Sequence, residues 1–221
     1  MIRRTLNLSA ATAALLLFAA GAAAAEQGFY VFASAGTADE DPETAGINVG
    51  NSQGVFHVYP DSVDVDSGQL AWSAGLGYRI NRYLSGEVEY IDFGTTDVVE
   101  HYVVPNIGFP IPYETFFDMN YSSNITGPAL SLLGTLPIGE NLELYLRGGA
   151  LFSSRGYKAG FGALDEKFSD TVWLAGAGVK WSFAKRWAVR GEYQQTGETG
   201  ESFASGKSDV KRMSLSVLFA L

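Results

Sequence analysis

The sequence predicts an all-β protein, an eight-stranded antiparallel up-and-down β-barrel that crosses a membrane. Three observations support this fold: period-two alternation of apolar residues, the number of segments that show it, and the lengths of the connections. In the last segment, "RMSLSVLFAL", every second residue from Met213 to Leu221 is apolar, while Arg212, Ser214 and Ser216 lie between them. Such alternation is typical of a strand between two solvents. A strand with water on one side and a protein core on the other would show this alternation. A strand with lipid on one side and a polar barrel lumen on the other would show it too.

Seven further segments are candidate strands. The alternation is clearest in "LAWSAGLGYRI" (70–80) and "VWLAGAGVKWSF" (172–183). Less regular versions occupy residues 28–36, 83–93, 125–136, 142–153 and 187–195. Because proline removes a ladder donor, Pro128 predicts that its strand starts late or contains a bulge.

The connections between these segments alternate in length. Three are short turns, at 80–82, 137–141 and 184–186. Four are longer, at 37–68, 95–122, about 154–169 and about 196–208, and the first two are the longest. An outer-membrane barrel with tight periplasmic turns and large external loops has this pattern. The alternation alone does not show whether the apolar face of each strand is turned into the protein or away from it. A soluble exported sandwich or a lipocalin-like binder is therefore the alternative fold.

The first 25 residues have the features of a secretory signal peptide. Arg3 and Arg4 precede the apolar run "AALLLFAAGAAAA", and Ala23 and Ala25 form an A-x-A cleavage site. We therefore expect an exported chain of one domain, residues 26–221. The chain has no cysteine, which argues against a small disulfide-stapled scaffold. After residue 25 no apolar run is long enough to span a bilayer as a helix, so strands would have to do so.

The charge is strongly acidic and unevenly distributed. The formal net charge is −9 and becomes −11 once Arg3 and Arg4 leave with the signal, which argues against a nucleic-acid partner. The segments 37–68 and 95–122 together contain eleven Asp or Glu residues and no Lys or Arg. We expect these two anionic external loops to interact through bridging divalent cations or with cationic partners.

The polar faces of the candidate strands carry nine charged residues. They are Arg79, Glu87, Glu89, Glu143, Arg147, Lys180, Arg190, Glu192 and Arg212. If the apolar faces contact lipid, these charges lie in a narrow lumen and should pair, because an unpaired ion away from water costs several kcal/mol. Eight strands leave an interior that side chains can fill. The sequence thus predicts a lumen plugged by paired charges, with a conduction path or gate as the alternative.

Aromatic residues cluster near the ends of the candidate strands. The main ones are Trp72, Tyr78, Trp173, Trp181, Phe183, Trp187 and Phe219. Rings with a polar handle prefer the headgroup level of a bilayer, so this placement predicts two membrane-interface girdles.

No motif predicts an enzyme, a cofactor or a specific metal site. Glu87 and Glu89 are a carboxylate pair on one strand, but they lie among bases and nothing completes a catalytic site. Asp61, Asp64 and Asp66 satisfy only part of the EF-hand pattern, which favours a solvated acidic loop. The Gly-x-Gly pairs lack the third glycine and the helix of a dinucleotide fingerprint.

Several segments resemble the OmpA-like and opacity-type outer-membrane β-barrel superfamily. They are "GFYVFASAG" after the signal, "SAGLGYRINRYLSGEVEYIDFG", "AGAGVKWSFAKRWAVRGEYQ" and the final strand that runs to the last residue. We expect two departures from the family: a barrel without the periplasmic peptidoglycan-binding domain of full-length OmpA, and a final strand with Leu221 where an aromatic residue is usual and Phe219 two residues earlier.

The resemblance implies an outer-membrane location, periplasmic termini, and a role in envelope integrity, adhesion or other surface interactions. The implied partners are outer-membrane lipid and lipopolysaccharide, the barrel-assembly machinery through the C-terminal strand, and an extracellular or host ligand through the loops. The alternative function is a narrow channel for small or hydrophobic solutes, as in OmpW-like barrels.

Overall fold

The computed structural model describes residues 27–42, 47–51, 54–58, 60–66, 69–105, 114–159, 165–198 and 208–221. The predicted signal peptide, residues 1–25, lies outside these ranges. The strands within them are β1 (Gly28–Pro42), β2 (Ile47–Asn51), β3 (Gly54–Val58), β4 (Ser62–Asp66), β5 (Gln69–Asn81), β6 (Leu84–Pro105), β7 (Glu114–Pro137), β8 (Leu142–Ala159), β9 (Asp165–Ser182), β10 (Trp187–Thr196) and β11 (Ser208–Ala220).

Eight of these strands form a closed antiparallel barrel. Each of β5 to β10 pairs with the next strand along the chain, and β1 pairs with both β5 and β11, which closes the ring. The short strand β4 pairs with residues 97–101 of β6, beyond the part of β6 that pairs with β5. Strands β2 and β3 form a separate hairpin. The predicted eight-stranded up-and-down barrel is confirmed. No helix in the described ranges could cross a membrane.

The orientation of the two faces decides between the barrel and the soluble alternative. Trp72, Trp181 and Leu215 are 45%, 52% and 64% exposed, whereas Arg147 and Arg190 are 4% and 2% exposed. The apolar stripes therefore face outward and the charged faces turn inward. A soluble sandwich or lipocalin would bury the first set and expose the second.

The segment predicted as a long loop at 95–122 is mostly strand, and this prediction is corrected. Strand β6 continues to Pro105, strand β7 begins at Glu114, and the two stay paired from Thr95–Asn124 to Pro105–Glu114. The segment "TTDVVEHYVV" is rich in β-branched residues and tyrosine, which favour strands. The sequence concealed this because the inward positions alternate Thr96, Val98, Glu100 and Tyr102, which gives no continuous apolar stripe. The other long segment, 37–68, likewise contains the end of β1 and all of β2, β3 and β4.

The prediction that Pro128 delays its strand is also corrected. Strand β7 runs through Pro128, which lies opposite Tyr90 of β6. Between β7 and β8, Thr126 pairs with Ser154 and Ala129 pairs with Leu151. Gly127 and Pro128 have no partner in β8, but the register is the same on both sides of them, so this strand pair has no bulge there. The irregularity lies instead in β6, where the register shifts between Asp92 and Thr95 and Gly94 has φ +86°. A glycine at positive φ is the residue that such a bulge favours.

Candidate functional site

A network of buried charges occupies the middle of the lumen, and Arg147 of β8 lies at its centre. Arg147 forms ion pairs with Glu87 and Glu89 of β6. Its Nε atom lies 2.8 Å from Oε1 of Glu192, within ion-pair distance but without hydrogen-bond alignment. Arg190 of β10 reaches the same carboxylates, since its Nη1 donates to Oε1 of Glu87 at 2.6 Å and its Nε lies 3.4 Å from Oε2 of Glu192. Three carboxylates therefore share two guanidinium groups.

Arg212 of β11 supplies the third positive charge of this lumen. Its side chain donates hydrogen bonds to Oε1 of Gln194 at 3.1 Å, to Ser34 Oγ, and to Ser73 Oγ at 3.3 Å. Gln194 in turn donates to Oε1 of Glu192 at 2.7 Å, which joins Arg212 to the rest of the network. Three guanidinium groups then balance the three carboxylates. We call these six charged residues the central network.

Two tyrosines extend the central network toward the short-turn end. The hydroxyl of Tyr30 donates to Oε1 of Glu87 at 2.6 Å, and that of Tyr145 donates to Oε2 of Glu192 at 2.6 Å. Their rings lie over glycines of neighbouring strands, Tyr30 over Gly77 and Tyr145 over Gly178, where a Cβ atom would collide with the ring. The Gly-x-Gly pairs thus make room for aromatic side chains inside the barrel.

The other three lumen charges lie apart, near the short turns. Nη2 of Arg79 and Nζ of Lys180 each lie 2.7 Å from Oε2 of Glu143. The side chain of Arg79 is 26% exposed, that of Lys180 is 18% exposed and that of Glu143 is 16% exposed. The side chains that form the ion pairs of the central network are almost fully buried. We call this cluster the mouth cluster. It lines a cavity of about 560 Å³ that opens at this end of the barrel.

An apolar layer fills the lumen on the other side of the central network, and the sequence did not predict it. Its members are buried residues from seven of the eight barrel strands: Ala38, Ala71, Ile91, Phe93, Ile125, Ala129, Leu151, Leu174 and Val210. They occupy inward positions, where the sequence suggested only polar residues. Each strand contributes one or two of them, which is too few to interrupt its alternation. The only signal in the sequence was parity: Ile91, Leu151 and Leu174, for example, are in phase with the inward charges of their own strands.

A second buried ion pair lies beyond the apolar layer. Arg155 of β8 pairs with Glu40 of β1 and donates from Nε to Ser123 Oγ at 3.0 Å. Nearby on the inward face of β6, the hydroxyl of Tyr102 donates to Oε2 of Glu100 at 2.7 Å. Arg155 is eight residues beyond Arg147, an even number, so both side chains lie on the same face of the strand. The predicted strand ended at residue 153; if it had been extended, the sequence would have placed Arg155 in the lumen.

The predicted interface aromatics lie on the outer surface at two levels. Tyr78, Trp181, Phe183, Trp187 and Phe219 lie toward the short turns, and Phe219 packs on Trp187 with ring centroids 4.8 Å apart. At the other level, Trp72 packs near Tyr90 at 6.2 Å, and Trp173 is exposed on β9. Trp173 and Trp181 are separated by roughly 26 Å along their strand, at 3.3 Å per residue. Because the strands of such barrels are tilted by about 35–45°, the two levels are roughly 20 Å apart along the barrel axis, somewhat less than the height of about 25 Å of a lipid-facing apolar band.

His101 lies on the outer face of the paired β4, β6 and β7 strands, beyond the apolar layer. Its Nδ1 is 2.7 Å from Oδ1 of Asp118 and its Nε2 is 3.2 Å from Oδ2 of Asp64. Hydrogen bonds to Asp118 and then Asp64 raise the pKa of this imidazole above its ordinary value of 6.5. Asp66 and Asp97 lie directly opposite each other on the same face. We call the four aspartates and His101 the acidic face. No three Asp, Glu or His side chains in the described part of the chain are arranged to hold a metal ion.

Comparison with known proteins identifies the family of this barrel. Residues 24–220 match the model of the OmpA-like transmembrane domain. The chain belongs to the OmpA-like transmembrane domain family. It is 28% identical over 156 residues to outer membrane protein A of Serratia marcescens, a match that covers 68% of this chain and 39% of that protein. This OmpA-like chain thus corresponds to well under half the length of its relative. The family match and this relative place the barrel in the outer membrane.

A solved structure shows the same fold. The crystal structure of Neisserial surface protein A superposes with a TM-score of 0.53 at 16% identity, over 88% of this chain and 97% of that one. The family match confirms the predicted resemblance to OmpA-like outer-membrane barrels.

Proposed function

We propose that this OmpA-like barrel is a closed, non-enzymatic envelope protein, and that it presents its acidic face to cationic partners outside the cell. The observation that carries the proposal is the double closure of the lumen. The central network fills one level of the barrel with charges that neutralise each other, and the apolar layer fills the next level. A water-filled pore would need polar walls along its whole length.

The outer surface supports the first half of this proposal. The two levels of aromatics fix the barrel in the bilayer as interface girdles, so that the short turns lie on the periplasmic side. The paired ends of β6 and β7 then project beyond the outer level, with the acidic face exposed. A rigid, paired extension positions charges more precisely than a loop does.

The closed lumen predicts a silent protein in planar lipid bilayers. The intact barrel should give no steady single-channel currents, whereas the double variant Leu151→Ser, Leu174→Ser should give small currents because it makes the apolar layer polar. A matched control, Leu144→Ser with Leu146→Ser, changes two outward leucines of β8 and should stay silent. Steady currents from the unaltered barrel would support the alternative function, a narrow channel.

The acidic face predicts binding of cationic peptides that depends on pH. An oligolysine peptide should bind the barrel in zwitterionic nanodiscs, and Asp66→Asn with Asp97→Asn should weaken this binding about fivefold or more. Below its raised pKa, the imidazolium of His101 cancels one negative charge of the face. Binding should therefore strengthen as the pH rises through that pKa, and His101→Gln should remove this step. Microscale thermophoresis across pH and salt concentration measures both effects.

Two controls separate this interaction from nonspecific attraction. Glu140→Gln removes a negative charge from a short turn at the opposite end and should leave peptide binding unchanged. If the aspartate double variant binds oligolysine as well as the unaltered barrel does, the proposed surface role is wrong.

A further inference from the structure

We propose that the cavity at the short-turn end of the barrel is a binding site for a small anion that carries a carboxylate or phosphate group. The cavity has a volume of about 560 Å³, within the range of ligand pockets. Arg79, Lys180 and Glu143 of the mouth cluster line it, together with three residues that carry hydroxyl groups, Ser85, Thr135 and Ser182. Nothing in the proposed surface role involves this end of the molecule, so the two proposals can fail separately.

The side-chain charges around the cavity do not balance. The central network below it is neutral, with three guanidinium groups and three carboxylates. In the mouth cluster, two cations share the single carboxylate of Glu143, so one positive charge is left over. Lys185 and Arg186 of the β9–β10 turn also line the cavity. Among the described lining residues, the only side-chain carboxylates are Glu87 and Glu143, and Glu87 is already paired with Arg147 and Arg190.

The position of this excess charge strengthens its attraction for an anion. Arg79 and Lys180 are each about three-quarters buried or more, yet they lie on the wall of an open cavity. Charges in such partly desolvated sites interact more strongly than charges on an open surface. A guanidinium and an ammonium beside hydroxyl donors form the combination that holds carboxylate or phosphate oxygens.

The local charge also runs against that of the molecule as a whole. The chain has a formal net charge of −9, and a small anion would be repelled by most of its surface. The described residues of the short turns and the mouth cluster instead carry five cations, Arg79, Arg82, Lys180, Lys185 and Arg186, and two acids, Glu140 and Glu143. Anion binding at this end therefore depends on the local arrangement, and it can be tested with single substitutions.

Inorganic phosphate is the probe for the first test. Isothermal titration of the barrel in phosphatidylcholine nanodiscs should show saturable binding, and Lys180→Gln should raise the Kd at least tenfold. Arg82→Gln removes a positive charge from the same end of the barrel, but Arg82 lies over the ring of Tyr83 and does not line the cavity. This control should change the Kd less than twofold. Equal weakening by both variants, or no saturable binding to the unaltered barrel, would overturn the proposal.

A second substitution predicts a change of opposite sign. Glu143→Gln removes the carboxylate that competes for both cations, so phosphate should bind several-fold more tightly. Glu140→Gln, on the adjacent turn, should leave the Kd unchanged. Tighter binding in Glu143→Gln supports the site even if Lys180→Gln fails to refold, and an unchanged or weaker affinity contradicts it.

The same measurement distinguishes a free anion from a lipid headgroup. If phosphatidylglycerol in the nanodisc competes with phosphate, the site holds the phosphate of a headgroup. If phosphate binds equally well in both kinds of nanodisc, its ligand is a free anion.

Discussion

Replacement of Arg147 by methionine is expected to lower the free energy of unfolding by about 3–5 kcal/mol, the cost of breaking a buried ion pair from one side. Arg147 contacts all three carboxylates of the central network, and its side chain is fully buried. Methionine keeps the unbranched, flexible stem of arginine but lacks the guanidinium group, so the substitution removes the charge and leaves a small cavity. The loss comes from Glu87, Glu89 and Glu192, which would then share only Arg190 and the more distant Arg212 in a lumen with little water.

Urea unfolding of the barrel in lipid vesicles, followed by tryptophan fluorescence, measures this loss. Arg82→Met is the matched control, because Arg82 lies in an exposed turn and its removal should cost less than about 1 kcal/mol. The double variant Glu87→Gln, Arg147→Met should be less destabilised than the two single variants together, since their charges interact. Additive losses would show that the central network is not coupled.

The second large effect is expected at Gly36, in the seam between the first and last strands of the barrel. A Cβ atom at this position would collide with the backbone carbonyl oxygen and carbon of Met213 and with Cα of Ser214. These are backbone atoms, so no rotamer change relieves the collision and the two strands must separate. Gly36→Ala should therefore destabilise the barrel by about 3 kcal/mol, the upper end of the range for overpacking.

The control for this variant is Gly134→Ala on the outer face of β7. A Cβ atom there meets no atom within 4 Å, and we expect a change within about 0.5 kcal/mol. Midpoints of urea unfolding and heat-modifiable gel mobility report both results. If Gly36→Ala is as stable and as heat-modifiable as Gly134→Ala, the close approach at the seam does not constrain the barrel.

The sequence predicts the barrel well because period two is a direct consequence of the strand. Once the outward face is recognised, the parity of each strand assigns its inward residues, and Glu87, Arg147 and Arg190 follow from that rule. Which of them contact each other depends on register between strands distant in the chain. Glu87 and Arg190, for example, are 103 residues apart, and no local pattern joins them.

Other features could not be predicted, for identifiable physical reasons. The apolar layer is built from one or two residues per strand, so it exists only when seven strands are brought together. The ends of β6 and β7 are stabilised by pairing with each other and with β4, and their acidic composition resembles that of a loop. Tyr30 and Tyr145 reach the carboxylates only because glycines on the neighbouring strands leave space for their rings.

The central network also bears on how the chain folds. Glu87 receives contacts from Tyr30, Arg147 and Arg190, which belong to the first, fifth and seventh barrel strands in sequence, and Arg212 arrives on the eighth. A partly assembled sheet would keep these groups in water, where none needs a partner. The charges of the central network can therefore be neutralised only when the last strand docks. The same step excludes water from the lumen. The chain should consequently close in a single cooperative step, and a barrel missing its final strand should remain open and hydrated.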